Sequence, residues 1–248
     1  MKDANAKNKK EQITFSNKRR DIIVLCETKC TLKTWIEGTS RDAKYFANGY
    51  DAYVSENGFR GLIVLIKKGS NLNVKKFQIL NPDIIRPDIE RGLDSITVFG
   101  VYGTSRYDDA QFFINLRTHM LDIGNKDVTI LGDLNLSLNK TKDLEGNITD
   151  PHWRSRAVVN EWLESGDYTD AYRSLNPEGT RKTWMHPDTT KSGRLDYILI
   201  SNSLAGKLKY CKITNCPKGI SDHQGVEACI IMDSSPTGPG TFRAAPLL

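Results

Sequence analysis

Apolar residues along this chain fall mostly into short runs bounded by Gly, Pro, Asn or Asp. Runs of roughly four to eight residues that alternate with polar positions or are rich in Val and Ile predict β-strands. Nine strands are predicted in this way, at residues 21–27, 60–68, 73–80, 94–103, 127–133, 181–185, 194–201, 209–214 and 225–232. Apolar spacing of three and four residues predicts helices at 110–123 and 154–164 and a shorter one at 170–175.

The balance of these elements indicates a fold class. Many strands with few helices favour packed sheets covered by helices, which is an α/β layered sandwich. A chain of 248 residues is long enough to bury one sizeable core. We therefore expect one domain over residues 1–232, followed by a linker or tail over residues 233–248, which are rich in Pro, Gly and Ser.

Composition narrows the class of protein. The chain is 38% apolar and 26% charged, which is typical of a soluble globular protein. No run approaches the ~18 apolar residues of a membrane span, and the N-terminus lacks the apolar core of a signal peptide. The five cysteines are odd in number and form no C-x-x-C, so neither disulfides nor zinc are indicated. We expect a nuclear or cytoplasmic protein that is not secreted.

Charge points to a polyanionic partner. The net charge is +5, and basic residues cluster at 7–10, 17–20, 140–142, 154–156, 181–182 and 191–194. Any single cluster is most simply a solvated face. Together they favour phosphate contacts, which need several Lys and Arg side chains. Composition alone leaves DNA, RNA and anionic lipid open.

Polar residues recur where predicted strands begin or end. The segment "VTILGDLNLSL" places Asp133 and Asn135 on one side of an otherwise apolar strand, two residues apart. Comparable positions are held by Glu27, Tyr102, Asp196, Asp222 and His223. Each alone has an ordinary structural explanation, such as a turn or a buried aromatic residue. Their recurrence at successive strand edges predicts that they share one site.

Three motifs in this set resemble the endonuclease/exonuclease/phosphatase family of metal-dependent phosphoesterases. They are "GDLN", "RLDYILIS" and the "SDH" before the last strand, and the likeness extends over residues 21–232. Within the family, the chain looks like the endonuclease domain of L1/Tx1-type non-LTR retrotransposons. That narrower likeness is carried by "LCETK", "VFGVYG", "QFFINL", "WRSR" and "LNPEGTRKTWMHP".

The resemblance implies a four-layer α/β sandwich, with two mostly antiparallel or mixed sheets flanked by helices. It also implies Mg²⁺ (or Mn²⁺) held by Glu27 with Asp222, because this cation prefers carboxylate oxygens. The implied catalytic residues are Tyr102, Asp133, Asn135, Asp196, Asp222 and His223. Asp133 would activate the water or assist the leaving group, Asn135 would orient the phosphate, and Tyr102 would donate to a phosphate oxygen. Asp196 would fix the tautomer of His223 and favour its charged form.

Substrate contacts are predicted from the basic clusters and one strand position. Thr183 is expected to contact the phosphate backbone, and Arg156 and Arg194 are candidates for substrate binding. The chain departs from the family at its N-terminus, where the family has a strand ending in an Asn beside the metal. Residues 1–11 contain no strand-like run, so Asn5 is not assigned to the site.

The leading functional hypothesis is a Mg²⁺-dependent endonuclease that nicks double-stranded DNA. The freed 3′-hydroxyl would prime reverse transcription by another domain of the same polyprotein, and the isolated domain would be a monomer. One alternative keeps the chemistry but changes the substrate, as in an abasic-site nuclease, a deadenylase or a lipid phosphatase. A second alternative is a catalytically weak nucleic-acid-binding relic.

Overall fold

The strands of this protein form two main bodies of sheet whose apolar faces meet. The computed structural model describes residues 20–55, 60–148, 151–216 and 221–232. The predicted tail at 233–248 and Asn5 lie outside the described residues. The strands are β1 (Ile22–Cys26), β2 (Tyr50–Val54), β3 (Leu62–Lys67), β4 (Asn73–Asn81), β5 (Ile84–Arg91), β6 (Asp94–Tyr102), β7 (Val128–Asp133), β8 (Leu144–Glu145), β9 (Tyr168–Asp170), β10 (Trp184–Met185), β11 (Ser192–Gly193), β12 (Asp196–Ser201), β13 (Leu208–Thr214) and β14 (Gly225–Ile230).

The helices are short, apart from two of 12 residues each. They are α1 (Leu32–Ile36), α2 (Arg41–Phe46), α3 (Ala110–Leu121), α4 (Lys140–Asp143), α5 (Trp153–Glu164), α6 (Ala171–Leu175) and α7 (Asn202–Ala205). Side-chain caps begin several of them, as at Asp109, which accepts from the amide of Phe112 at the start of α3. Within the described ranges, no helix is long and apolar enough to cross a bilayer.

The larger sheet has six strands in the order β4-β5-β6-β7-β12-β9. Its pairs are antiparallel except for β6 and β7, which run parallel and are joined through α3. Facing it are the three-stranded sheet β1-β3-β2 and the pair β13-β14. A small sheet, β10-β11-β8, lies beside the larger one.

Three apolar clusters separate four layers. The central cluster joins β3, β5 and β6 to β14, with Val64, Ile85 and Val98 fully buried. Phe113 and Trp162, from α3 and α5, cover the outer face of the larger sheet. Phe46 of α2 covers the outer face of β1-β3-β2. The arrangement of helix, sheet, sheet and helix confirms the predicted four-layer α/β sandwich.

Most predicted elements are present with boundaries shifted by one or two residues, but five strands and the short helices α1, α2, α4 and α7 were missed. Three of these strands, β8, β9 and β11, have only two or three residues; the other two are β2 and β5, "IIRPDIER", whose proline is uncommon inside a strand. The pairing of β5 with β6 runs through Ile84 and Ile85 and resumes at Asp88. The pairing of β5 with β6 therefore skips Pro87, which has no N–H to donate. The predicted strand at 181–185 is reduced to the two residues of β10.

Candidate active site

Three of the predicted site residues lie in one row across the larger sheet. Tyr102 at the end of β6 is in register with Asp133 at the end of β7, and Asp133 is in register with Asp196 at the start of β12. Residues paired across neighbouring strands point to the same face of a sheet. These three side chains therefore project together into the space between the two sheet layers.

Two further site residues follow strand ends in an uncommon backbone conformation. Asn135 has a φ of 54° and Glu27 has a φ of 56°, both in the left-handed region. Asn tolerates this region better than most residues, whereas for Glu it carries strain, which tends to occur at functional sites. Asn135 is held by two bonds: its amide donates to Asp133 Oδ1 (2.8 Å), and its Nδ2 donates to the Gly103 carbonyl (2.9 Å).

Asp196 and His223 form a close pair. His223 Nδ1 lies 2.8 Å from Asp196 Oδ2, and both side chains are largely buried. Burial by itself would lower the pKa of His223. The hydrogen bond to Asp196 and the negative charge of Asp196 and Asp133 outweigh it and raise that pKa to about 9. At neutral pH the imidazole is therefore positively charged, and the carboxylate fixes its orientation.

Asp133 is a buried carboxyl group in an acidic setting. Only 5% of the residue is exposed. Burial, followed by the repulsion of Asp196 and Glu27, raises its pKa to about 8, although His223 and the Asn135 amide act in the opposite direction. A carboxyl group with such a perturbed pKa in a cleft is a candidate for proton transfer.

A cavity of about 410 Å³ opens beside Asp133 and Asp196. Glu27, Asp133, Asp196, Asp222 and His223 all line it, whereas Tyr102 and Asn135 are not among its lining residues. One ligand atom from each of Asp133, Asp196 and His223 lies within 4.8 Å of the others, a spacing that could hold a metal ion. The lining is rich in carboxylate oxygens, which are the donors that a hard divalent cation prefers. The carboxylates of this lining are therefore suited to hold a divalent cation.

Asp222 lines the cavity and is exposed to solvent. Its carboxylate accepts from Trp184 Nε1 (3.1 Å), and its carbonyl accepts from the Met185 amide (3.2 Å). The backbone of Trp184 also forms an isolated antiparallel β-bridge with the backbone of His223. The short strand β10 therefore holds the loop that carries Asp222 and His223, a role for Trp184 that the sequence did not suggest.

Thr183 requires a correction. It was predicted to contact the phosphate backbone, yet it has no exposed surface. Its Oγ1 instead accepts from the amides of Leu195 (2.8 Å) and Asp196 (3.0 Å), and its carbonyl accepts from the Gln224 amide (2.6 Å). In this arrangement Thr183 cannot reach a phosphate. It positions the backbone that carries Asp196.

This geometry predicts the outcome of removing the Thr183 hydroxyl. Thr183→Val keeps the shape but leaves two buried amides without an acceptor, so we expect a loss of about 2 kcal/mol in the free energy of unfolding. Thr183→Ser retains the acceptor and should lose less than half as much. Chemical denaturation of the three proteins checks this. A loss for Ser as large as that for Val would show that the hydroxyl contributes no more than the methyl group, which would contradict this account.

Arg194 also requires a correction, because it was predicted to bind substrate. The residue is 1% exposed, and its guanidinium donates to Asp143 (2.9 and 3.0 Å) and Asp170 (2.6 Å). Asp143 is itself fully buried and also pairs with Arg173. This ion network ties α4 and α6 to the residue two positions before Asp196. Arg156, by contrast, lies on α5 and is only partly buried.

Arg60 is a second positioning residue that sequence reasoning missed. Arg60 lies with its guanidinium 4.1 Å from the centre of the Tyr102 ring. It donates to the carbonyls of Tyr102 and Gly103 and, through Nε, to Asp83 (3.0 Å). Burial, together with nearby Glu27 and Asp133, raises the pKa of Tyr102, so its hydroxyl keeps its proton. No local pattern marked Arg60, since it precedes an ordinary apolar strand.

The four layers and the polar row at the ends of β6, β7 and β12 define the class of fold. This is the endonuclease/exonuclease/phosphatase fold, as solved structures of similar shape establish. No protein-family model matches the sequence.

Three of those structures illustrate the likeness. A 3′-5′ exonuclease (NExo) from Neisseria meningitidis shares 21% identity, with a TM-score of 0.66 over 91% of this chain and 95% of that one. An AP endonuclease from Archaeoglobus fulgidus shares 18% identity, with a TM-score of 0.68 over 85% and 88%. The endonuclease domain of TRAS1, a telomere-specific non-LTR retrotransposon, shares 14% identity, with a TM-score of 0.62 over 85% and 99%.

Proposed function

We propose that this protein is a Mg²⁺-dependent phosphodiesterase that nicks double-stranded DNA. The observation that carries the proposal is the row of Tyr102, Asp133 and Asp196, with His223 paired to Asp196, beside an acidic cavity. Phosphodiester hydrolysis needs an activated water, positive charge near the phosphate and a donor to its oxygens. Asp133 and His223, which line the cavity, match the first two needs, and Tyr102, in register with Asp133 on the neighbouring strand, matches the third.

The residues divide the chemistry among them. Asp133 accepts the proton of the attacking water when it is ionised, or gives its proton to the leaving oxygen when it is protonated. The charged His223 faces the phosphate and stabilises its developing negative charge, while Asp196 holds the imidazole in place. Tyr102 donates its hydroxyl to a phosphate oxygen, and Asn135 orients the phosphate.

We assign the cation to Glu27 and Asp222, which both line the cavity, rather than to Asp133, Asp196 and His223, whose ligand atoms lie within 4.8 Å of one another. When bound, Mg²⁺ supplies positive charge that stabilises the transition state. The acidic lining supports this assignment, because carboxylate oxygens are the ligands that Mg²⁺ prefers. A cation bound among these carboxylates would also favour the ionised form of Asp133, whose pKa is otherwise raised. His223 is a poor ligand, since its Nδ1 is engaged by Asp196 and the ring is charged.

Two narrower points belong to the same proposal. The motifs quoted above and the fold shared with the TRAS1 domain support a retrotransposon endonuclease, whose nick would leave a 3′-hydroxyl primer. The fold shared with an AP endonuclease supports a second candidate, cleavage at abasic sites. Nicking of a supercoiled plasmid with and without Mg²⁺, alongside intact and abasic duplexes, tests both. A preference for the abasic duplex favours the second candidate, and no Mg²⁺-dependent cleavage of any substrate refutes the proposal.

The metal assignment makes a prediction of its own. Glu27→Gln removes a charged ligand but keeps the side-chain length, so half-maximal nicking should require at least about tenfold more Mg²⁺ than in the wild type. A Mg²⁺ titration of nicking rate measures this. Glu37→Gln, at the end of α1 and outside the cavity lining, is the matched control. An unchanged Mg²⁺ requirement in Glu27→Gln would remove Glu27 from the metal site.

A further inference from the structure

Two large aromatic side chains stand exposed where the loop that follows Tyr102 meets the start of α5. Tyr107 is 62% exposed and Trp153 is 57% exposed. Exposed apolar surface that is contributed by neighbouring segments, rather than by single scattered residues, often marks an interaction site. We define the aromatic platform as Arg106, Tyr107, Trp153 and Arg154.

The platform is tied to the site by the loop that follows Tyr102. That loop begins at Gly103, whose carbonyl accepts from Asn135, and it is braced by Thr104 Oγ1, which donates to the Tyr107 carbonyl (3.1 Å). One residue beyond Tyr107, Asp108 accepts from the amides of Arg154 (2.8 Å) and Ser155 (2.9 Å) at the start of α5. The same carboxylate thus joins the site loop to the segment that carries Trp153.

The loop that follows Asn135 also contacts α5. Asn160 of α5 donates to the carbonyl of Leu138 (3.2 Å), three residues beyond Asn135. The loops that leave Tyr102 and Asn135 therefore both contact α5. The platform is held at the end of the sheet where Tyr102, Asp133 and Asp196 lie.

The chemistry of the platform matches a nucleic acid. The Arg154 guanidinium lies 5.2 Å from the centre of the Trp153 ring, and Arg106 precedes Tyr107. Aromatic faces stack on nucleobases, and neighbouring arginines pair with phosphates. Asp108 brings negative charge to this surface, but its carboxylate is occupied by the α5 amides and Ser155 Oγ.

We propose that Tyr107 and Trp153 stack on bases of the DNA beside the scissile phosphate, while Arg106 and Arg154 contact its backbone. A base can stack on a protein ring only when it is unstacked from its neighbours, so the platform selects DNA that is unpaired or distorted next to the nick. This inference rests on the proposed function, because it assumes that DNA enters the cavity.

Binding in the absence of cleavage tests the platform. The parent is Asp133→Asn, and the probe is a duplex with 2-aminopurine in a mismatch, compared with the fully paired duplex. We expect quenching of 2-aminopurine and tighter binding to the mismatch. Adding Trp153→Ala should remove most of the quenching and raise Kd by about tenfold or more, whereas Trp153→Phe should retain both. Phe77→Ala, an exposed aromatic on the edge strand β4, is the control and should change neither.

The outcomes separate the two proposals. Plasmid nicking by the wild type is measured in parallel. If the wild type nicks but Trp153→Ala binds and quenches as the parent does, the platform inference is wrong and the proposed function stands. If the wild type does not nick but Trp153-dependent quenching is seen, the platform stands and the proposed hydrolytic function fails. No binding of either duplex to the parent overturns the platform.

Discussion

Replacing Asp133 by Asn should lower the nicking rate by about 10²- to 10⁴-fold while making the protein more stable at neutral and alkaline pH. The loss of rate follows from removing the proton acceptor, because Asn retains the shape and can still accept from the Asn135 amide but cannot take a proton. The measurement is the single-turnover nicking rate at saturating Mg²⁺. Asp122→Asn, an exposed aspartate at the end of α3, is the matched control.

The stability effect follows from the raised pKa of Asp133. Its pKa is about 8 in the folded protein, against about 3.9 for an unfolded Asp. Between these values the folded state keeps a proton that the unfolded state releases, so stability falls as pH rises from about 4 to about 8. The amide side chain introduced by Asp133→Asn does not titrate. In EDTA, the variant should melt above the wild type at pH 8, and the difference should shrink toward pH 4.

Two results would contradict this account of Asp133. A variant that nicks within a few-fold of the wild type would exclude proton transfer by this carboxyl group. Parallel pH dependences of melting for variant and wild type would mean that burial does not hold the folded carboxyl group protonated.

The sequence predicted the fold because the apolar pattern and the layer architecture constrain each other. A strand that is apolar on both faces, such as the one with "LIVLI", must be covered on both faces, and this requires a layered fold. Strand β5 was missed because Pro87 and its charged neighbours hide the alternation of Ile85 and Ile89. Its place in the sheet is set by partners on both sides, and that information is not local to the segment.

The sequence indicated residues of the candidate site where chemistry and position coincide, and it assigned substrate contacts to buried residues where they separate. Asp133, Asn135 and Asp196 interrupt apolar strands, so their polarity itself was a signal. Arg194 and Thr183 also lie near these strands, but their side chains turn into the protein and bond Asp143 or backbone amides. Only the three-dimensional partners distinguish a side chain that holds the site from one that faces substrate.

The Asp196–His223 pair should behave as one catalytic unit. Asp196→Asn and His223→Ala should each reduce turnover by about 10²- to 10⁴-fold, and the double variant should be little worse than the poorer single variant. The reason is that Asp196 acts through the imidazole it holds at 2.8 Å, so once either partner is lost the other has little left to contribute. Nicking rates of the four proteins complete the cycle.

An exposed pair of the same type supplies the control. His186 Nδ1 lies 2.7 Å from Asp188 Oδ1, and neither residue lines the cavity. Asp188→Asn and His186→Ala, singly or together, should leave turnover within a few-fold of the wild type. A large loss in these variants would mean that the assay reports general damage to the fold.

The Asp196–His223 pair also predicts how the stability of the protein and its nicking rate depend on pH. The His223 pKa of about 9 exceeds the ordinary value of about 6.5, so the folded state holds the proton more tightly than the unfolded state. The stabilisation from the pair is therefore complete below about pH 6.5 and is lost as pH rises through about 9. In Asp196→Asn the histidine pKa should fall, and the alkaline limit of the nicking rate should move to lower pH with it. NMR titration of the imidazole measures the pKa directly. If His223 titrates like a solvent-exposed histidine in the wild type, or if the two single losses simply add, these residues do not act as a pair in hydrolysis.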